Sequence, residues 1–304
     1  MGLLDRAVDK LKAEQTPETA AQVRPSAPRA PRKERTSAEP RVASASDDAR
    51  RVAAVYGGEV DLDLAGLAAQ GYVVPGFRCD GLLLDEYRRI KRQLLFKAAV
   101  DDADAEERRP SGNLIMVTSA VDGEGKTFVS TNLAFSVSLE RDRSALLIDG
   151  DVIRRGASRL LGLEQHAGLI DYLLGEVDDL SELLVQPKGL ENFWILPTGA
   201  PHEHANELLA SERMQDLLDE LAQQHPDWVV VMDTPPLLMT SEATVLAQQM
   251  GQIALVVRAD ITPQHHVQNA LDHIPADRLS GLILNAATRN LAQDGYADYY
   301  YGDT

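Results

Sequence analysis

Residues 118–136, TSAVDGEGKTFVSTNLAFS, join a short apolar run to a segment with helical periodicity. Gly123, Gly125, Lys126 and Thr127 have the spacing of the last glycines, the lysine and the hydroxyl of a Walker A loop. Glycines let backbone N–H groups turn toward phosphate oxygens, and a helix that begins near Lys126 directs the positive end of its dipole at them. Because this loop lies at a strand-to-helix junction, a nucleotide site is favoured over a tight turn without a ligand.

Short β-branched runs alternate with segments of helical length from Asn113 onward. The runs are NLIMVTSA, SALLIDGD, FWILPTG, WVVVMDTPP, QIALVVRAD and LSGLILNAA; the helical segments are KTFVSTNLAFSVSLERD, HANELLASERMQDLLDELAQQ, TSEATVLAQQM and PQHHVQNALDHI. Nearly continuous apolar strands predict a doubly wound α/β domain of the P-loop NTPase type, with a mostly parallel sheet and helices on both faces. Ligands bind such sheets at the carboxyl ends of the strands.

The predicted nucleotide site draws on residues of the loop and of one strand end. Its ATP-binding residues are Gly123, Glu124, Gly125, Lys126, Thr127, Phe128 and Asn285. Lys126 would bridge the β- and γ-phosphates, and Thr127 would supply a hydroxyl to Mg²⁺. Asn285 follows the last apolar run, where contact with the adenine and a strand-end cap are equally compatible with the sequence.

Three aspartates end two of the apolar runs. Asp149 and Asp151 follow ALLI, and Asp233 follows VVVM. A single aspartate there is as often a solvated strand end as a ligand, but three beside a phosphate loop favour a functional role. Mg²⁺ prefers oxygen ligands and keeps several waters, and a carboxylate near the γ-phosphate can accept a proton from an attacking hydroxyl. The predicted cofactors are therefore ATP and Mg²⁺, the metal site is Thr127, Asp149 and Asp233, and the catalytic residues are Lys126, Asp149, Asp151 and Asp233.

The rest of the chain divides by composition. We predict a short amphipathic helix over 1–14, a disordered linker rich in Pro, Ala, Ser and Arg over 15–50, an extension without an assigned role over 51–80, the P-loop domain over 81–290 and a tyrosine-rich tail over 291–304. No apolar run reaches the length that spans a bilayer, and the single cysteine, Cys79, fits a reducing compartment, so we expect a cytoplasmic protein. A net charge of -17 argues against nucleic acid as a partner.

These motifs resemble those of the bacterial tyrosine kinases of exopolysaccharide synthesis, which are P-loop proteins. The matching segments are SAVDGEGKT (Walker A), LLIDGD (Walker A′), VVVMDTPP (Walker B), the tyrosine-rich end, and DEYRRIKRQLL, in which Glu86, Arg89 and Arg92 have the spacing Glu-x-x-Arg-x-x-Arg. The layout is most similar to the exosortase-associated (PEP-CTERM locus) tyrosine autokinases. Two departures are VIRRG where the family often reads LRRP after the Walker A′ aspartates, and Ala120 where the strict Walker A pattern has its first glycine.

The resemblance implies an ATP-dependent protein-tyrosine autokinase that regulates exopolysaccharide synthesis or export. Its phosphoacceptors would be four of the chain's eight tyrosines, Tyr296, Tyr299, Tyr300 and Tyr301, modified between subunits. Glu86, Arg89 and Arg92 would join subunits into a ring-like homo-oligomer. A separate membrane chain-length-determinant protein, a polysaccharide co-polymerase, would activate the kinase and recruit it to the inner membrane.

Two other functions use the same motifs. A partition- or cell-division-type switch ATPase would hydrolyse ATP with water, but that class carries an extra lysine near Val121 that this chain lacks, and the tyrosine tail would have no role in it. A scaffold that binds nucleotide without useful turnover is the third possibility.

Overall fold

The computed structural model describes residues 57–103, 111–224 and 227–287. The strands are β1 (Gly58–Val60), β2 (Leu114–Ser119), β3 (Ser144–Asp149), β4 (Val185–Pro187), β5 (Phe193–Leu196), β6 (Trp228–Asp233), β7 (Gln252–Arg258) and β8 (Leu279–Asn285). The helices are α1 (Leu64–Ala69), α2 (Gly81–Ala103), α3 (Lys126–Ser138), α4 (Gly156–Leu160), α5 (Leu169–Leu173), α6 (Ala205–Leu209), α7 (Glu212–Gln224), α8 (Ser241–Gln249) and α9 (Gln264–Leu271), and a 3₁₀ turn spans Leu180–Glu182.

All eight strands of the described residues form one sheet, in the order β1-β4-β5-β3-β6-β2-β7-β8. Every neighbouring pair is parallel except β4 and β5. The order places β2, which leads into the Walker A segment, between β6 and β7. The predicted doubly wound, mostly parallel sheet is therefore confirmed.

Each face of the sheet carries its own apolar core. Along β6, Val230 and Met232 pack with residues of α5 to α9, whereas Val229 and Val231 pack with residues of α1 to α4. Because successive side chains of a strand point to opposite faces, a strand covered on both sides needs apolar residues at nearly every position. This requirement explains the continuous apolar runs of the sequence.

The segment that received no role, 51–80, joins the same sheet from residue 57 onward. β1 pairs in parallel with β4 and so lies at one end of the sheet. The following turn packs on the phosphate-loop helix: the backbone N–H of Val73 donates to Oδ1 of Asn132, at 2.6 Å, and the rings of Tyr72 and Phe128 lie 5.0 Å apart. Residues 57–80 therefore contribute both an edge strand, β1, and the Tyr72–Val73 contact with α3.

One predicted helix is divided in the structure. HANELLASERMQDLLDELAQQ forms α6 and α7, because the Ser211 hydroxyl accepts a hydrogen bond from the N–H of Met214 and begins a new helix there. The predicted helix 1–14, the linker 15–50 and the tail 291–304 lie outside the described residues. Within the described ranges, no helix has both the length and the apolar character that crossing a bilayer requires.

Candidate nucleotide and metal site

The phosphate loop connects β2 to α3 through residues 120–125. Gly123 and Gly125 have φ angles of 78° and 93°, in the left-handed region that favours glycine. A Cβ on Gly125 would lie 2.0 Å from Nδ2 of Asn285, so this position also needs glycine for space. Lys126 begins α3 and is buried. The predicted Walker A residues therefore lie at the amino-terminal end of a 13-residue helix.

Contacts from distant parts of the chain hold the loop in shape. The Glu124 side chain, which is 2% exposed, accepts a hydrogen bond from the N–H of Val121 at 2.9 Å and another from the Thr262 hydroxyl. Asn285 Nδ2 donates to the Glu124 carbonyl at 2.8 Å, and Arg258 Nη1 donates to the Gly123 carbonyl at 3.2 Å. The carboxylate of Glu124 is thus committed to bracing the loop.

The structure explains why the loop accepts Ala120 in place of glycine. Ala120 is not among the residues with positive φ, and its side chain is fully buried in the core shared with α5 to α9. Its carbonyl accepts a hydrogen bond from the N–H of Leu238, in the loop that follows β6. A methyl group at this position therefore packs without backbone strain.

The predicted metal ligands converge beneath the loop. The Thr127 hydroxyl donates to Asp233 Oδ2 at 2.6 Å. Asp149 and Asp233 are paired residues of the neighbouring strands β3 and β6, and both are fully buried. Asp149 Oδ2 accepts a hydrogen bond from the N–H of Ser158 at 2.7 Å. The structure therefore brings Lys126, Thr127, Asp149 and Asp233 to one place.

Two buried carboxylates side by side are electrostatically unfavourable. Burial, with the charge of Asp149 adding to it, raises the pKa of Asp233 to about 8, although Thr127 and Lys126 act in the opposite direction. Burial also raises the pKa of Asp149, and the hydrogen bonds from Ser158 oppose this effect. A bound cation would remove the repulsion between the two carboxylates.

The donor set fits Mg²⁺. Asp149 Oδ1 and Asp233 Oδ1 are buried without a hydrogen-bond partner, and a buried carboxylate oxygen in that state needs compensation. No group of three or more His, Cys, Asp or Glu side chains in the described ranges forms a metal site on its own. Mg²⁺ at nucleotide sites uses one or two protein carboxylates together with phosphates and waters, so two carboxylates and the Thr127 hydroxyl suffice.

The Walker A′ segment approaches the loop from the side. Asp151 is buried, and its Oδ1 accepts a hydrogen bond from the N–H of Arg154 at 3.1 Å. The Arg154 guanidinium forms an ion pair with Asp122 of the phosphate loop at 2.6 Å. Gly156 replaces the proline of the family pattern, and a Cβ there would lie 2.5 Å from the Thr127 hydroxyl. The departure from LRRP therefore brings the start of α4 against the predicted metal ligand.

Three other predicted residues, Phe128, Glu86 and Arg89, lie along a groove beside the site. The Phe128 ring packs against Tyr72 and lines a groove between α2 and β8. Glu86 and Arg89 line the same groove, while Arg92 is exposed on α2. The adenine contact of Asn285 and the oligomer contacts of α2 stay predictions, and the four tail tyrosines lie outside the described residues.

Two residues that the sequence did not single out support the loop. Thr262 and Arg258 both lie in the RADIT segment at and after the end of β7, and their contacts with Glu124 and Gly123 cross more than 130 positions of sequence. The arginine that ends the apolar run QIALVV was the available signal, since ligands bind at carboxyl strand ends.

The fold and the loop define the class: this is a P-loop protein with a doubly wound α/β domain and a carboxylate pair beneath the phosphate loop. The chain is 32% identical over 191 residues to the tyrosine-protein kinase Wzc of Salmonella typhi, which takes in 62% of this chain and 26% of Wzc. The chain therefore spans about a quarter of the length of the curated relatives it matches. No family model matches the chain.

Solved structures of bacterial tyrosine kinase domains are also similar to this chain. The kinase domain of the Escherichia coli tyrosine kinase ETK has 26% identity and a TM-score of 0.55, over 68% of this chain and 78% of that domain. The kinase domain of VpsO has 28% identity and a TM-score of 0.53, over 67% of this chain and 98% of that domain. Over its P-loop domain the chain is therefore similar to the kinase domains of bacterial tyrosine kinases.

Proposed function

We propose that this protein is an ATP-dependent protein-tyrosine kinase that phosphorylates the tyrosine cluster at its own carboxyl terminus, from one subunit to another. The observation that carries the proposal is the arrangement under the phosphate loop, where Thr127 bonds Asp233 and two buried carboxylate oxygens lack partners. The relatives named tyrosine-protein kinases support tyrosine as the acceptor.

Each residue of the site has a chemical task in this reaction. The phenolic oxygen attacks the γ-phosphorus of ATP, the bond to the β–γ bridging oxygen breaks, ADP leaves, and the phenolic proton passes to a carboxylate of the site. Lys126 offsets phosphate charge, and Thr127, Asp149 and Asp233 would hold Mg²⁺, which would supply positive charge to offset the charge that develops on the phosphate oxygens. Asp149 and Asp151 are the candidate proton acceptors, as the family resemblance implies.

The length of the tail permits transfer between subunits. From Ala287, the last described residue, to Tyr296 the chain has nine residues, which span at most about 30 Å when extended. A ring-like homo-oligomer formed through Glu86, Arg89 and Arg92 would bring one subunit's tail within reach of the next site. Each phosphate adds about -1.5 to -2 charges, so an acidic oligomer loses stability as phosphorylation proceeds.

The same resemblance supports the biological setting. We infer a cytoplasmic kinase, recruited to the inner membrane by a separate chain-length-determinant protein, that regulates exopolysaccharide synthesis or export. This setting is proposed from the resemblance of residues 80–304 to exosortase-associated autokinases.

The experiment is phosphotyrosine detection after incubation of the purified protein with ATP and Mg²⁺, with and without the cytosolic segment of the membrane partner. Lys126→Met should reduce phosphotyrosine about a hundredfold or more, because removal of one preorganised charge from such a site has effects of that size. Lys188→Met, which removes an exposed lysine far along the chain, is the matched control.

Parallel measurement of ATP hydrolysis separates the kinase from the other two functions. A switch ATPase would hydrolyse ATP normally without phosphotyrosine and would be insensitive to removal of the tail. A scaffold would bind nucleotide and do neither. Absence of phosphotyrosine under all conditions refutes the kinase assignment.

A further inference from the structure

A groove of about 560 Å³ lies between α2 and β8, and it borders the predicted nucleotide site at Phe128 and Asn285. Most of its lining is apolar and includes Leu83, Ile90, Leu94, Phe128, Leu282 and Leu284. The volume is within the range of pockets that bind small ligands or a few side chains. The groove therefore has the size and the chemistry to accept aromatic side chains.

The β8 side of the groove is an apolar strand at the end of the sheet. Leu282 and Leu284 are 54% and 62% exposed, and β8 is the last strand in the sheet order of the described residues. Proteins usually cover such an edge or place charges on it, because exposed apolar edges promote association. An occupant is therefore expected here.

The groove is held together at one end and reaches the end of the described chain at the other. Lys97 Nζ donates to the Leu279 carbonyl at 2.9 Å, and Gln252 Nε2 donates to the Leu94 carbonyl at 2.9 Å. These bonds tie the carboxyl half of α2 to the starts of β8 and β7. At the other end, Asn285 and residues 286–287 line the groove themselves. The chain therefore leaves the domain from within the groove.

We propose that the carboxyl-terminal segment of the same chain, residues 288–304, docks in this groove through its tyrosines. The segment begins at the groove, and nine residues from Ala287 to Tyr296 are enough to turn back along it, since the α2 residues from Leu83 to Leu94 span only about 16 Å. The tyrosines have an apolar ring and a polar tip, which suits a mostly apolar groove whose lining also includes Glu86, Arg89 and Gln93.

Charge favours the same occupant. Beyond residue 289 the segment has three acidic residues, Asp294, Asp298 and Asp303, and no basic one. Arg89 and Glu86 both line the groove, and Arg89 is the more exposed of the two, so it is the group that can meet an acidic residue of the segment. The short connection gives the chain's own tail a high local concentration at the groove, so docking within one chain is preferred to docking of a second copy's tail.

Docking places the tail on the surface that we predict for subunit contacts. Because Glu86 and Arg89 line the groove, a docked tail and a neighbouring subunit on α2 exclude one another. A docked tyrosine is also withheld from a neighbouring active site. This regulatory consequence rests on the proposed kinase function, whereas docking itself requires neither ATP nor activity.

Hydroxyl-radical footprinting of the full chain tests the docking without nucleotide. We expect the tail tyrosines of the wild type to be modified about tenfold more slowly than those of Leu284→Arg, as for a tail docked about nine-tenths of the time. Leu284 is largely exposed, so arginine is compatible with folding there. Val245→Arg, at an exposed apolar position on α8, is the matched control and should behave as the wild type.

Disulfide trapping provides an independent measurement. In a Cys79→Ser background, Leu284→Cys combined with Tyr299→Cys should form a disulfide within one chain, whereas Leu139→Cys combined with Tyr299→Cys should not. Equal footprinting of wild type and Leu284→Arg, together with no trapping at 284, overturns the proposal. A disulfide found only between chains also overturns it, because the occupant is then a second copy. Lys126→Met should show the same docking, so loss of kinase activity and loss of docking are distinguishable.

Discussion

Replacement of Asp233 with asparagine tests the electrostatics of the site. In the unfolded chain this carboxyl has a pKa near 3.8, and burial next to Asp149 raises the pKa to about 8 in the folded protein. The folded state therefore binds the proton more tightly than the unfolded state does. The stability that this proton supplies is complete below about pH 4 and is lost as the pH rises toward about 8.

The size of the effect follows from the change in pKa. One unit is worth about 1.4 kcal/mol, so a rise of about four units sets an upper bound of about 6 kcal/mol on the stability that the wild type loses. Asparagine carries no charge, but its side-chain oxygen can still accept the hydrogen bond from the Thr127 hydroxyl. We therefore expect Asp233→Asn to be more stable than the wild type by about 2 to 4 kcal/mol at alkaline pH and nearly equal to it at acidic pH.

Thermal unfolding of both proteins across the pH range, with a chelator and without nucleotide, measures the difference. For a domain of this size, 2 kcal/mol corresponds to a difference in Tm of about 4 to 8 °C. Asp227→Asn, at an exposed position just before β6, controls for the loss of one negative charge. A difference between Asp233→Asn and the wild type that does not grow with pH would refute the reasoning.

Two further substitutions test the contacts around the loop. Gly156→Ala places a methyl group 2.5 Å from the Thr127 hydroxyl, so we expect the affinity for Mg²⁺-nucleotide, measured by calorimetry, to fall about tenfold. Gly81→Ala is the control, because a Cβ there meets nothing within 4 Å and the affinity should not change. Equal affinities of the two variants would show that α4 adjusts to the methyl group. Thr262→Val leaves the buried Glu124 carboxylate without the hydroxyl donor, and should lower the free energy of unfolding by about 1 to 3 kcal/mol in denaturant titrations; a change below about 0.5 kcal/mol would contradict the bracing role.

The strands of the fold could be predicted because burial on both faces forces a simple pattern. Six apolar runs of the sequence correspond to six strands; five of these strands have a core on either side, whereas β8 lies at the edge with Leu282 and Leu284 exposed. β1 and β4 were not predicted, because each has only three residues, GEV and VQP, and so short a segment shows no periodicity. They are strands because neighbouring backbone groups pair with them, a condition that local sequence does not encode.

Some residues of the site could be predicted from the sequence, and others could not. Lys126 and Thr127 are close in sequence to the glycines that shape the loop, and Asp149 and Asp233 end strands that the fold must place side by side. The support of Glu124 by Thr262 joins residues 138 positions apart and depends on the loop after β7. No spacing rule predicts such a contact, because it arises only after the sheet order is fixed.

The sequence also predicted which positions depart from the family pattern, but not their physical reasons. Ala120 is tolerated because its φ is not positive and its methyl group is buried in the core. Gly156 lies against Thr127, a contact between residues 29 positions apart in the chain. Both explanations require coordinates, since each depends on a neighbour from another element.

Mass spectrometry of the tail after incubation with ATP and Mg²⁺ tests the central proposal most directly. The proposed function predicts phosphate on one or more of Tyr296, Tyr299, Tyr300 and Tyr301 in the wild type and its loss in Lys126→Met. An unmodified tail in a wild-type protein that binds and hydrolyses ATP, even with the membrane partner's cytosolic segment present, would contradict it.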